Sequence, residues 1–476
     1  MASTFQKINH LYRRAGYGLR ISDYQKKNRS TPEKEVKLLL TDAVQNKPIK
    51  VMTENPVAKY QNEFMGRRGG SPELRQMVQK EIRDSRELIR DMNMQWMVQL
   101  VDPTMVLREK LTLFWHDHFG VRNLFGYYAQ QHNNLLREKA LGKFGDLLLA
   151  VAKDPAMLQF LNNQQNVKTR PNENFARELL ELFTLGRGNY SEQDIKNAAR
   201  AFTGWGFARL SGNFRFRRFQ HDFGNKEFMG QSGDLNGDDI INIVLEQKQT
   251  ARFLASKLFH YYVSDTPDQE IIEDMANHLY KSDYHIGDLL NYMFSSAWFY
   301  EERFMNNMIK SPIDLVNSIR TQFNLSFGQP LALLYLQRSL GQVLFYPPSV
   351  NGWPVGREWI DSSSLVNRMR LPAVLSARAQ FNVRPKDDGD ENNQLKVRAY
   401  RSLSTAKIDW EAFESHLEGE KYETLLDQAS LLLINQPLSG ETRAAMLQEL
   451  DKASHSTEPR QWLATNIAGL PQYQLS

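Results

Sequence analysis

No cysteine occurs anywhere in the 476 residues. That one absence excludes disulfides, thiolate catalysis, Cys-ligated zinc, iron–sulfur clusters and covalent c-type haem. No run approaches the roughly 18 apolar residues of a membrane-spanning helix. The first ten residues also lack the apolar stretch of a signal peptide. The expectation is a soluble protein without a membrane span, cytoplasmic by default and with export left open. No Gly-rich phosphate loop, Gly-x-Gly-x-x-Gly turn into a helix or Gly-x-Ser-x-Gly elbow is found, and neither is His-Glu-x-x-His or Glu-x-x-His. Charge of one sign is equally scarce: 59 basic against 55 acidic residues leave a formal +4. So small and evenly spread an excess argues against a nucleic-acid partner. Arg215-Phe-Arg-Arg-Phe219 interleaves cations with aromatics, but it reads first as an exposed hairpin strand.

What is present is helical. Hydrophobic residues at 41% and charged residues at 24% are ordinary for a globular chain. Apolar residues recur at helical spacing over 33–46, 72–101, 104–119, 135–152, 172–185, 191–203, 238–246, 248–263, 268–281, 286–296, 310–323 and 330–341. Asp102-Pro103 and Asp154-Pro155 place proline just inside a helix, and Thr31 and Ser191 supply caps with acids in the first turn. Around 204–232 the pattern changes: Gly204 to Arg209 and Asn213 to Phe219 flank Leu-Ser-Gly as the arms of a β-hairpin, with a Gly-rich stretch following. The polar segment 384–398 reads as a linker. The expected architecture is all-α: a main helical domain over 1–383 with a small hairpin insertion, then a C-terminal appendage of about three helices over 399–476. Gly145-Asp-Leu-Leu148 and Gly287-Asp-Leu-Leu290 resemble each other, as a decayed duplication would leave them.

The most informative stretch is Pro171 to Gly186. At 100° per residue, Glu173, Asn174, Arg177, Glu178 and Glu181 share one arc, and Phe175, Ala176, Leu179, Leu180, Leu182 and Phe183 fill the other. Two readings follow. Glu173–Arg177 and Arg177–Glu181 fit i, i+4 ion pairs on a solvated face, each contributing about 0.2–0.5 kcal/mol. Alternatively Glu178, at the edge of the apolar arc, faces a cavity with a raised pKa and serves as acid or base, while Arg177 orients an anionic group.

Histidines give the second set of candidates. In Arg108 to Phe119, a continuous helix places His118 beside Leu107, Leu111 and Phe114, and His116 about 160° away beside Thr112 and Glu109. One core and one surface histidine is the plainer expectation, because i, i+2 residues on an unbroken helix cannot share a metal. His221-Asp222 after the hairpin and His10 near the N-terminus complete the group. His116, His118, Glu173 and His221 together would form a nitrogen and oxygen set suited to zinc, manganese or non-haem iron.

Several runs together resemble a bacterial family known as domain of unknown function 1800. They are His10 to Gly18, Arg108 to Phe119, Leu136 to Gly142, Asp154 to Met157, Pro171 to Gly186, Ala201 to Trp205, His221 to Gly224 and Pro347 to Ile360. The similarity covers about residues 8 to 380, with the tail outside it. The resemblance implies a mostly helical protein and carries no established activity. It also implies a gene neighbourhood shared with a sulfatase-like protein. Two functional expectations follow. One is an enzyme with a polar, metal-dependent site in which His118, Arg177 and Glu178 carry the chemistry. The other is a non-catalytic partner or assembly factor for the sulfatase-like protein, presenting an apolar surface near Tyr127, Tyr128, Trp353 and Trp359.

Overall fold

The computed structural model describes residues 2–66, 71–123, 125–376, 401–453 and 458–476. It is mostly helical, and among the described residues β-structure is confined to three two-stranded antiparallel sheets. The expected hairpin pairs Trp205–Phe207 with Phe214–Phe216, in the register Trp205↔Phe216 and Phe207↔Phe214. The Gly-rich stretch behind it folds into a second hairpin, Lys226–Phe228 with Gln231–Gly233. The expected linker at 384–398 lies outside the described residues.

Local chemistry explains most helix starts. Ser71, Asp154 and Ser311 each cap a helix whose first residue is proline, the position where the missing N–H costs nothing. Asp102-Pro103 behaves differently. Asp102 Oδ1 accepts from Thr104 N–H at 3.0 Å, a turn two residues long, and the helix begins only at Val106. The periodicity expected through 135–152 is broken into Gly126–Lys139 and Phe144–Ala152. Helices Thr4–Ala15 and Ser362–Leu375 lie outside the segments expected from the sequence, although Thr4–Ala15 is strongly amphipathic.

The two Gly-Asp-Leu-Leu segments lie side by side. Ile286 N–H donates to Gly142 O at 3.0 Å, Phe144 N–H donates to Tyr284 O at 3.0 Å, and Lys143 and His285 form an antiparallel bridge. Helices Phe144–Ala152 and Ile286–Ser295 therefore start from one shared strip of main chain.

Two apolar cores organise the molecule. The first collects Leu111, Trp115, Phe119, Phe144, Phe183, Leu258 and Phe294. The second joins Trp96, Leu113, Ile319 and Leu336 to Phe413, Leu433 and Ile467 of the C-terminal helices. Helix Val106–His118 lies between them and is buried from Leu107 to His116 on every side. A helix with apolar surroundings all round has no solvent face for charge, so its polar side chains need internal partners. Glu109 and Arg137 are both 0% exposed and form an ion pair at 2.8 Å. Trp96 Nε1 and Gln99 Nε2 donate to the same carboxylate at 2.8 and 2.9 Å, so the burial leaves no lone pair stranded.

The C-terminal segment closes against the N-terminal helix. Arg13 donates to Leu475 O at 2.5 Å, and Lys310 Nζ donates to Tyr473 O at 2.7 Å. Asn9 Nδ2 donates to Leu431 O at 3.2 Å.

Candidate active site

The stretch Pro171 to Gly186 is not one α-helix. An α-helical turn at Asn174–Glu178 widens into a π-helical turn at Leu179–Thr184. Leu185 N–H donates to Leu180 O, five residues back, at 2.9 Å, and Thr184 Oγ1 donates to Leu179 O at 2.6 Å. Beyond Glu178 the chain advances less than 100° per residue, so the wheel loses its register there. Gly186, at φ +79°, ends the element, and a Cβ on it would sit 2.9 Å from the Phe253 ring.

The widened turn leaves the carbonyls of Leu182 and Phe183 free of helical partners at the negative end of the helix dipole. Both are used. His118 Nε2 lies 3.2 Å from Phe183 O, and Lys257 Nζ donates to Leu182 O at 3.4 Å. Since a carbonyl can only accept, His118 carries its proton on Nε2 and presents a lone pair at Nδ1. Lys257 Nζ stands 3.3 Å from that Nδ1.

His118 and Lys257 line a cavity of about 320 Å³. Its walls are aromatic, with Phe114, Phe253, Tyr261, Trp353 and Trp359, and its polar groups include Asp117, His118, Lys257 and His260. Asp314 also lines it but is committed elsewhere: it pairs with Lys110 and accepts from Ser311 Oγ at 2.9 Å. Phe253, Ser256, Lys257 and His260 share one face of helix Lys248–Tyr262 by their i, i+3, i+4, i+7 spacing.

Asp117 is positioned by the segment after Pro347. Trp353 N–H donates to Asp117 Oδ1 at 2.7 Å. Gly352 makes this approach feasible: it sits at φ +79°, and a Cβ there would fall 2.2 Å from the same oxygen. Burial pushes the Asp117 carboxyl up to about 6, against the opposing pull of the Trp353 N–H and the Lys257 charge. Burial lowers the Lys257 ammonium from its ordinary value, with Asp117 acting the other way. Burial, then the neighbouring Lys257 charge, holds His118 well below its usual value. Burial also raises Asp265 and Tyr261 in the same lining, and titratable groups perturbed together in one aromatic cleft form the pattern expected of a site that moves protons or forms bonds.

Of the catalytic and metal-ligating candidates in the sequence, the structure brings His118 alone to this cavity. His116 faces the second core. It is buried rather than on the surface, because both sides of its helix are covered. Its Nε2 accepts from Phe345 N–H at 3.0 Å, its ring lies 5.1 Å from Trp96, and burial lowers its pKa to about 3. His221 packs between Phe216 and Phe223 under the hairpin, with Nδ1 donating to Thr203 O at 2.8 Å. Asp222 pairs with Arg200 at 2.7 Å. His10 packs against Phe299 at 4.8 Å.

The charged arc lies elsewhere. Arg177 bonds Glu173 and, in place of the expected Glu181, Glu192 of the next helix. The π-turn rotates Glu181 away to Arg187 and Tyr190. Asn174 donates to Leu161 O at 3.2 Å. Glu178 is half-buried with its carboxyl raised by burial, next to Glu181, and is not among the cavity-lining residues. His116, His118, Glu173 and His221 therefore do not converge, and no group of three or more His, Asp or Glu disposed to hold a metal occurs among the described residues. The apolar surface expected near Trp353 and Trp359 is likewise turned inward, since both are buried against the cavity. Tyr128 is buried too, with its hydroxyl donating to Arg209 O at 2.9 Å.

Asp117 and Lys257 went unmarked in the sequence. Asp117 sits between the two histidines of the conspicuous Trp115 to Gly120 run, and Lys257 interrupts an otherwise aromatic and small-residue face. The mixed stripe 253, 256, 257, 260 was the available signal.

The chain matches the model of the family described as Protein of unknown function (DUF1800) over residues 10–475, and it belongs to that family. The match takes in the C-terminal helices that the motifs had left outside. No curated protein and no solved structure matches the chain.

Proposed function

We propose that this family member is an enzyme using the Lys257 amine as nucleophile on a small carbonyl compound with a largely apolar body. The observation that carries this reading is the enclosure of Lys257 Nζ beside two acceptors, His118 Nδ1 at 3.3 Å and Leu182 O at 3.4 Å. A neutral amine has two N–H donors and one lone pair. With both donors engaged, the lone pair is left for the cavity. Burial favours that neutral form.

Asp117 supplies the proton. With its pKa near 6, part of the population is protonated near neutrality, the range in which a general acid is effective. As the amine nitrogen bonds to the carbonyl carbon, one amine proton and the Asp117 proton pass to the carbonyl oxygen, both C–O bonds break as it leaves as water, and a protonated imine to Lys257 remains with Asp117 ionised. His118, kept neutral and fixed in one tautomer, is a positioning residue for the amine. The aromatic walls favour an apolar or aromatic substrate body.

Borohydride trapping with a panel of small aldehydes and 2-oxo acids tests the reading. Peptide mass spectrometry should place the reduced adduct on Lys257 ahead of surface lysines, and Asp117→Asn should slow its formation. Equal labelling of all lysines would sink the proposal. A metal-dependent version would need ligands beyond His116, Glu173 and His221, and elemental analysis of the purified protein tests it.

A further inference from the structure

The segment that leaves the open end of the first hairpin, Phe216 to Phe223, carries the most exposed large apolar side chain among the described residues. Phe219, in the turn Arg218–Gln220, is 92% exposed, and Phe216 and Phe223 are 44% and 47% exposed. A phenylalanine left almost wholly in water gains nothing from folding, and three grouped together mark a contact surface. The group is rigid. His221 lies edge-on between Phe216 and Phe223, at 5.0 and 4.7 Å, and is itself tethered to Thr203 O.

Exposed cations accompany the aromatics. Arg215 and Arg218 are exposed in the same segment, and Arg218 lies over the Phe223 ring at 5.4 Å. Lys168 joins them through its N–H to Gln220 O at 2.8 Å, and Arg170 closes the same tight turn onto Val167. Lys168, Arg170, Arg215 and Arg218 have no carboxylate partner among the described residues. Asp222 is neutralised by Arg200.

We propose that this segment docks on an anionic lipid surface, with Phe219 entering the headgroup region and the neighbouring cations facing lipid phosphates. The partner follows from complementarity: a projecting apolar side chain among cations without carboxylate partners matches apolar chains beneath an anionic layer. A single nucleic-acid strand would instead need a basic groove offering successive stacking platforms, whereas only Phe219 is almost wholly exposed here. Phe219 projects from the surface, and the Phe216 and Phe223 rings meet His221 edge-on.

Co-sedimentation of the full chain with vesicles of equal parts phosphatidylglycerol and phosphatidylcholine tests the proposal. Binding should appear at low ionic strength, weaken with salt, and be absent with phosphatidylcholine alone. Phe219→Ser should weaken it about tenfold, the loss expected for one buried aromatic side chain. The double reversal Arg215→Glu with Arg218→Glu should abolish it. These side chains are exposed, so unchanged thermal melting should accompany the loss. No pelleting with anionic vesicles, or undiminished binding by Phe219→Ser, would overturn the proposal. So would binding of oligothymidylate in preference to vesicles.

Discussion

Lys257 Nζ and His118 Nδ1 stand 3.3 Å apart, and each is also held to a carbonyl of the same π-turn, Leu182 and Phe183 respectively. The conspicuous segment thus serves the cavity through its main chain, while Glu173, Arg177 and Glu181 make their bonds away from it, largely to residues that follow the segment.

Substituting Arg177 separates these two contributions. Arg177→Ala removes a partly exposed ion-pair network and should cost less than about 1 kcal/mol in urea denaturation. Lys257 should label with aldehyde and borohydride as fast as in the parent. A large fall in labelling would return the charged arc to the site.

Asp117 sets a pH dependence of defined sign. Its folded pKa of about 6 lies above the unfolded value near 3.9. The folded state therefore holds more protons between about pH 4 and 6, and stability falls as pH rises through that window. Asp117→Asn should remove this slope and gain on the order of 2 kcal/mol at pH 7. Denaturation midpoints from pH 4 to 8 measure it, and parallel curves for the two proteins would refute the assignment.

His116 works in the opposite direction. Its pKa of about 3 in the folded state means that the unfolded chain takes up protons first, from about pH 6.5 downward. Stability is complete above that value and declines as the pH falls. His116→Leu should blunt the decline, yet cost about 1–3 kcal/mol at pH 7 by stranding the Phe345 N–H. A variant with unchanged acid sensitivity would exclude His116 as its source.

Gly352→Ala places a methyl group against Asp117 Oδ1 and a left-handed φ on alanine. At least about 2 kcal/mol of stability should be lost. The labelling of Lys257 should change as well, because the carboxylate must move. Normal labelling in a destabilised protein would show that Asp117 does not act on the amine.

Breaking the Glu109–Arg137 pair should be the most damaging of these changes. Arg137→Ala leaves a fully buried carboxylate without its countercharge, at a cost of about 3–5 kcal/mol. Removal of both charges by Glu109→Leu and Arg137→Met should recover much of that loss. Equal instability of the single and double variants would mean that packing, not charge, holds this position.

How much of this was legible depends on the range of the interactions involved. Caps at Ser71, Asp154, Ser191 and Ser311 and the alternation of Asn213 to Phe219 are local, so helices and hairpin could be read directly. The chemistry of each candidate was legible too, including the opposite directions of His116 and His118. The sequence by itself determined the all-helical class, the absence of thiol chemistry and the residue types available for a site. Tertiary structure decided which of those residues meet. A wheel assumes one buried face, whereas Val106–His118 is covered on all sides, and this drew His116 and Glu109 inside. A wheel also assumes a constant turn angle, which the π-turn at Leu179–Thr184 breaks. Asp117 and Lys257 are 140 residues apart in the chain, and only the packing of two helices and the Pro347 to Ile360 segment around one aromatic cavity makes them neighbours.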